Sequence, residues 1–153
     1  MNQIKNYTSG VNHEATISRI EMRLAAAGAS GIMKLYNDRK EVAALVFEIQ
    51  LGERNFRIKV PANVDACFET MWKEHCLRHT RPRESTKATI RSQAYRTAWK
   101  LVQDWVDVQI SMIVMHQVEF LEVFLPYIWD GKQTFFTAMK GSGFKQLAER
   151  TGA

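Results

Sequence analysis

Apolar residues in the first part of the chain follow a helical period and then a strand period. Residues 13–27 repeat apolar side chains at helical spacing and are followed by Gly28, a common helix stop, which predicts a first helix. From residue 31 to residue 61, apolar and polar residues alternate in short segments separated by Asn37-Asp38 and Gly52. This pattern predicts a three-stranded antiparallel meander with one face in the core and the other in water.

A second helix is predicted after Pro61, which ends the strand pattern. Asn63 or Asp65 is placed to cap this helix, which runs to about Leu77. The elements up to that point follow the order α-β-β-β-α. Near the C-terminus, an Asp-Gly turn precedes a short helix predicted around residues 134–140.

The region from Ser85 to Leu125 predicts a long helix. It holds 41 residues without Gly or Pro and begins with a good N-cap residue, so we expect one long helix or two helices joined by a kink. Steps of 100° place an apolar stripe along it, formed by Ala94, Ala98, Leu101, Trp105, Met112, His116 and Val123. Lys87 and Arg91 lie on the side of the stripe, where burial would be costly, so we expect the start of this helix to project past the core.

Length and composition predict a single domain over residues 1–153. A chain that is 46% hydrophobic and 24% charged has a globular composition, and the elements predict an α+β fold with a helical C-terminal half. Residues 1–12 are expected to be a flexible N-terminus, and residues 144–153 a frayed C-terminus. Cys67 and Cys76 lie on opposite faces of one predicted helix, which fits a reducing cytoplasm. No apolar run approaches about 18 residues, so neither a signal peptide nor a membrane span is expected.

Positive charge is concentrated in residues 78–100. The whole chain has formal net charge +5, whereas this segment alone holds seven basic residues and one acid, Glu84. Basic groups at this density attract phosphate, and interleaved aromatic rings can stack on bases. The candidate binding residues are Arg78, Arg81, Arg83, Lys87, Arg91, Tyr95, Arg96 and Lys100. A second basic set, on the wet face of the predicted sheet, consists of Arg54, Arg57 and Lys59.

The sequence leaves three interpretations of this basic segment open. Such a segment binds nucleic acid, binds an acidic protein surface, or serves only solubility. The α-β-β-β-α order also matches the double-stranded-RNA-binding domain, but that module carries basic residues at the start of its second helix. Here no Lys or Arg occurs between Lys59 and Lys73, so the match is one of element order alone.

A metal site is considered around the end of the second helix. His75 and His79 stand at the i, i+4 spacing of metal-ligating histidines, with Cys76 between them. No third ligand is indicated at a suitable spacing, and a helix end decorated with histidine is stabilised by the helix dipole. We therefore expect no metal and no other cofactor, and the role of this cluster stays open.

Catalysis has two candidate groups of residues. His116 and Glu119 lie on the predicted apolar stripe and are interpreted as a core pair rather than as a general base and its partner. Asp104, Asp107 and Glu122 would suit a magnesium-dependent nuclease, although surface ion pairs explain the two aspartates equally well. With no phosphate loop and no triad spacing, the protein is expected not to be an enzyme.

Four strings spread along the chain carry a family resemblance. They are AAAGASGIMKLYND, KVP, AWKLVQDWVDVQ and EVFLPYIWDGKQTFFTAMK. In these residues the chain resembles a widespread group of small uncharacterised proteins encoded by bacteriophages and prophages, over nearly its whole length. The resemblance implies a protein acting in the cytoplasm of a bacterial host, where phage proteins of this size commonly handle nucleic acid or disable host defence. It assigns a role to no residue.

These observations predict a non-enzymatic, phage-type accessory protein that binds nucleic acid through residues 78–100. The alternative is an anti-defence protein, of the anti-CRISPR kind, that binds and inhibits a host immune protein through the same basic surface. No membrane partner is expected. The long, partly apolar helix permits a homodimer without requiring one.

Overall fold

The secondary-structure elements follow the order that the sequence predicts. The structure is a computed structural model and describes residues 4–7 and 9–152. Its elements are α1 (His13–Ala26), β1 (Ala29–Tyr36), β2 (Val42–Leu51), β3 (Arg54–Pro61), α2 (Val64–Arg78), α3 (Glu84–Val114), α4 (Phe120–Phe124), a 3₁₀ turn (Leu125–Tyr127), α5 (Phe135–Gly141) and α6 (Lys145–Thr151). The predicted α+β fold is confirmed, with its N-terminal helix, three-stranded meander and helical C-terminal half.

The three strands form one antiparallel sheet in the order β1-β2-β3. Phe47 in the central strand lies opposite Ile32 on one side and Ile58 on the other, so these side chains share one face. Helices α1 and α3 cover that face. The fully buried side chains that join them to the sheet include Ile17, Ile20, Leu24, Leu45, Trp99, Val106 and Phe124.

Two aromatic residues of α3 fasten the helix to the start of β2. The Val42 N–H donates to the Tyr95 hydroxyl at 2.7 Å, and the Trp99 indole N–H donates to the Val42 carbonyl at 3.0 Å. Tyr95 and Trp99 are four residues apart and therefore lie on the same face of α3. Both backbone polar groups of one buried residue are thus satisfied by side chains of a single helix.

Helix α3 ends at Val114, well before the predicted stop at Leu125. His116 has φ 58°, and its N–H bonds to the Ile113 carbonyl while the Gln117 N–H bonds to the Met112 carbonyl. This pair of bonds is a Schellman motif, with histidine in the left-handed position that glycine usually occupies. In the described residues no helix, α3 included, has both the length and the apolarity to cross a membrane.

The predicted core pair of His116 and Glu119 is wrong. Both residues are exposed, because they follow the end of α3 instead of extending its buried face. Glu119 is the N-cap of α4, where its side chain and that of Glu122 form a capping box. The buried positions of α3 nearest this end are Val106 and Ile110.

Helix α3 packs on α2 from Ile90 onward, while most of the residues before Ile90 are exposed, in line with the expectation that the start of this helix projects past the core. Phe68 and Met71 of α2 form a small buried cluster with Ala94 of α3. The N-cap of α3 is Arg83, which makes no side-chain capping bond, so the predicted N-cap at Ser85 is wrong. Ile90 and Ala94 of α3 therefore build a second, smaller core with α2.

The chain before α1 lies against α3 where it is described. The Thr97 hydroxyl donates to the Asn6 carbonyl at 3.0 Å, and the Gln93 side chain donates to the Ser9 carbonyl at 3.0 Å. Residues 1–3 and 8 of the expected flexible N-terminus lie outside the described residues, as does residue 153 of the expected frayed C-terminus. Most of that C-terminal segment forms α6.

Candidate functional site at the α2–α3 corner

The basic side chains of residues 78–100 divide into two groups. Arg91, Arg96 and Lys100 are partly buried along α3, and their side chains form hydrogen bonds or ion pairs with other residues of the protein. The other four lie where α2 gives way to α3, and we call them the corner cations: Arg78, Arg81, Arg83 and Lys87. The fold therefore does not present the segment as one continuous basic ridge.

Arg91 joins three parts of the protein. Its guanidinium forms ion pairs with Glu41, which precedes β2, and with Asp65 of α2, the latter at 2.7 Å. Its side chain is only 12% exposed, and its guanidinium carbon lies 5.5 Å from the centre of the Phe68 ring. The hydrogen bonds to Glu41 and Asp65 raise the pKa of Arg91 despite its burial. Arg91 is therefore neutralised inside the fold, and its predicted role in binding a partner is corrected to a structural one.

The same contact with Arg91 lowers the pKa of Glu41. Burial raises the pKa of its carboxyl, but the hydrogen bonds from Arg91 and Asn37 outweigh burial and bring the pKa below its ordinary value. The carboxylate thus stays ionised beside Arg91. The pair links the β1–β2 turn to α3.

Tyr95 is not available to stack on a base. It is 9% exposed, its hydroxyl is bonded to Val42, and its ring stacks on His13 with centroids 4.0 Å apart. Burial raises the pKa of Tyr95 and lowers that of His13. The predicted stacking role of Tyr95 is therefore wrong, because its ring is part of the contact between α3 and the rest of the core.

Arg96 and Lys100 make contacts within the protein. Arg96 donates to the Gln93 side chain at 2.6 Å and to the Ser9 carbonyl at 3.4 Å. Lys100 donates to the Gln103 side chain at 3.1 Å and lies 3.6 Å from an Asp104 oxygen. These cations help to hold the N-terminal segment and the middle of α3.

The corner cations differ from these because, within the part of the chain that the structure describes, their side chains make neither an ion pair nor a hydrogen bond. The three arginines are exposed, and the Lys87 ammonium lies 5.6 Å from the centre of the Trp72 ring. Beside them is a pocket of about 370 Å³, which Arg39 of the β1–β2 turn lines together with Lys87 and Arg91. Sequence reasoning missed Arg39, since only the folding of the sheet brings that turn to α3.

Of the second basic set, Arg54, Arg57 and Lys59, only Arg57 and Lys59 share one face of the sheet. Arg57 and Lys59 lie on the sheet face opposite α1 and α3, and both approach the Trp129 ring, at 5.5 Å and 5.8 Å from its centre. The Trp129 backbone N–H donates to the Arg57 carbonyl at 2.9 Å, which fixes the backbone of Trp129 beside β3. Arg54 begins β3 and alternates onto the other face, so it does not belong to this surface.

The histidines at the end of α2 do not converge on a metal position. The rings of His75 and His79 stack face to face, with centroids 4.1 Å apart and planes inclined by 17°. Lone pairs of imidazole lie in the ring plane, so stacked rings direct them side by side rather than at one point. In residues 4–7 and 9–152, no three His, Cys, Asp or Glu side chains group closely enough to hold a metal ion.

The three carboxylates considered for a nuclease have other partners. Asp104 lies 2.7 Å from the Lys5 ammonium and accepts from Asn6 at 2.9 Å, and Asp107 lies 3.8 Å from Arg23. Burial raises the pKa of Asp104, but the bonds from Lys5 and Asn6 outweigh it and lower the pKa. The third carboxylate, Glu122, caps the backbone at the start of α4. Each group therefore serves an intramolecular contact.

Comparison of the chain with protein-family models, with curated proteins and with solved structures finds no match. The features that bear on function are therefore those of the surface itself. The corner combines exposed arginines, an adjoining pocket and nearby aromatic rings. Arginines suit an anionic group such as a phosphate, and aromatic rings suit a flat ring.

Proposed function

We propose that the protein binds nucleic acid at the α2–α3 corner through phosphate contacts. The observation that supports this proposal is the cluster of corner cations, which have no acidic partner among the described residues. A cation without an internal partner is free to neutralise a phosphate and release its counterion, which favours binding. Arginine suits this role because its planar fork can donate two hydrogen bonds to one phosphate.

The binding is expected to be independent of base sequence. Phosphate contacts position a nucleic acid but do not read its bases. No chemical step is part of the proposal, because Asp104, Asp107 and Glu122 are engaged in intramolecular contacts. In line with the family resemblance, we place this activity in a phage-encoded accessory protein of the bacterial cytoplasm.

The proposal is tested by the salt dependence of binding. Arg81, Arg83 and Lys87 are changed together to Ala, and Arg91 is left intact because it holds the fold. Fluorescence anisotropy with a labelled oligonucleotide of about 20 nucleotides is recorded between about 50 and 300 mM NaCl. Each lost phosphate contact should reduce the slope of log K against log salt by about 0.7–0.9, so the variant should lose roughly 2 to 3.

A matched control removes the same charge elsewhere. Lys132, Lys140 and Lys145 are exposed in the C-terminal part of the chain, and their joint change to Ala lowers the net charge equally. If this control flattened the slope as much as the corner variant does, net charge rather than the corner would be responsible. Failure of the wild-type protein to bind at about 50 mM salt would refute the proposal outright.

The same variants distinguish the anti-defence alternative. A host protein captured after nuclease treatment by the wild-type chain, and lost by the corner variant, would assign the corner to a protein partner. In that case the oligonucleotide experiment should show no difference between the corner variant and the lysine control.

A further inference from the structure

Four aromatic side chains of α2 and its C-cap form a stack that leads to the corner. We call it the aromatic ladder, and its members are Phe68, Trp72, His75 and His79. Successive ring centroids are 6.3, 5.7 and 4.1 Å apart, and successive planes are inclined by only 11°, 18° and 17°. In the main core, by contrast, Phe47 meets both Phe120 and Phe124 edge to face, at 90° and 88°. The ladder is therefore a series of nearly parallel faces, the geometry in which flat rings stack.

The ladder passes from the interior to the surface. Phe68 is 8% exposed, Trp72 and His75 are half-buried, and His79 is exposed. No other ring in the described part of the chain stacks on the outer face of His79. The last member of the ladder thus presents a free ring face to solvent.

The backbone and the ring of His79 are each fixed by a hydrogen bond to the same acceptor. Its backbone N–H and its Nδ1 each lie 3.1 Å from the His75 carbonyl oxygen. A carbonyl oxygen only accepts, so Nδ1 carries the proton and donates. A ring fixed in this way loses little conformational freedom when a ligand stacks on it.

Cations accompany the ladder along its length. The Lys87 ammonium lies 5.6 Å from the Trp72 ring centre, and the Arg91 guanidinium lies 5.5 Å from the Phe68 ring centre. At the exposed end, Arg78 and Arg81 flank His79 in the sequence. Aromatic faces beside a track of basic groups are the arrangement by which proteins hold unpaired bases and their phosphates.

We propose that His79, supported by His75 and Trp72, is a stacking platform for an unpaired base, so that the corner binds single-stranded nucleic acid. This inference rests on the nucleic-acid binding proposed above and adds the class of strand. A base would continue the ladder past His79 while the phosphates of the same strand lie along Arg81 and Arg83. A duplex offers phosphates but keeps its bases stacked inside, and an acidic peptide offers charge without a base to stack.

The test compares wild type with His79→Ala and His79→Phe. Binding is measured on labelled oligothymidylate and on a duplex of the same length. The alanine variant should weaken single-strand binding by roughly 5- to 150-fold, the effect of losing one stacked base, and should leave the salt slope unchanged. Duplex binding should stay within about twofold, since only phosphates are contacted there. The phenylalanine variant keeps a planar face but lacks the Nδ1 bond that holds the ring, so it should restore most of the single-strand binding.

The outcomes separate this inference from the proposed function. Equal losses on single strand and duplex, no loss on either, or no rescue by phenylalanine would overturn the stacking platform, even where the corner variant still shows phosphate binding. Absence of wild-type binding to either oligonucleotide would overturn both proposals. If His79→Ala shifts the urea unfolding midpoint, His79→Gln, which keeps a polar side chain without a ring, takes its place.

Discussion

Changing Tyr95 to Phe would remove a single oxygen atom from the contact between α3 and β2. The ring would keep its place against His13, but the Val42 N–H, which now donates to the hydroxyl at 2.7 Å, would lose its acceptor. An unpaired buried donor costs about 1–3 kcal/mol. For a chain of this length each kcal/mol lowers the melting temperature by about 2–4 °C, so we expect a decrease of roughly 2–12 °C.

Urea unfolding followed by tryptophan fluorescence measures the free energy of unfolding of this variant. Tyr36→Phe is the matched control, because Tyr36 is 61% exposed and its change should stay within about 0.5 kcal/mol. A Tyr95→Phe chain as stable as the wild type would refute the assignment of Tyr95 to the fold. A variant that unfolds normally but binds oligonucleotide less tightly would return this residue to the binding surface.

Two further changes test the contacts that frame the corner. Because Arg91 lowers the pKa of Glu41 in the folded state, this carboxylate stabilises the protein above its ordinary pKa of 4.5, and that stabilisation is lost as the pH falls through the lower folded pKa. Glu41→Gln should therefore be less stable at neutral pH and show a smaller acid dependence in urea titrations; an unaltered dependence would contradict the pairing. Asn63→Ala removes the side-chain acceptor of the Ala66 N–H at the start of α2 and should cost about 1 kcal/mol, and an unmoved urea midpoint would argue against the cap.

Much of the fold is predictable because its signals are local. The 3.6-residue and two-residue periods of apolar positions lie within single elements, and they predict α1, the meander and α2 to within a few residues. The capping role of Asn63 is local as well, since its side chain accepts from the Ala66 backbone N–H three residues ahead. The end of α3 escaped prediction because histidine takes the left-handed position at 116, where the usual signal is glycine.

The candidate site was less predictable because the acidic residues that pair with a basic residue can lie far from it in the sequence. The ion pairs visible in a sequence are those at helical spacing, such as Lys100 with Asp104. Arg91 instead pairs with Glu41, 50 residues away, so its neutralisation depends on how the β1–β2 turn meets α3. The i, i+4 spacing of His75 and His79 is visible in the sequence, but the four rings of the aromatic ladder become a stack only through their orientations.

Burial divides the basic residues of segment 78–100 into two groups, one that stabilises the fold and one that stays available to a partner. A guanidinium that is 12% exposed, as in Arg91, must be paired to be tolerated, and the acids that pair with it come from outside residues 78–100. The three corner arginines avoid this requirement because they are exposed to water, so their charges can attract a polyanion over about one Debye length. Glu41→Gln therefore separates the two groups: it frees Arg91 from one partner, while Asp65 and the Phe68 ring still hold the guanidinium. Stability should fall while the salt slope of oligonucleotide binding stays that of the wild type, and a steeper slope would show that Arg91 belongs to the binding surface after all.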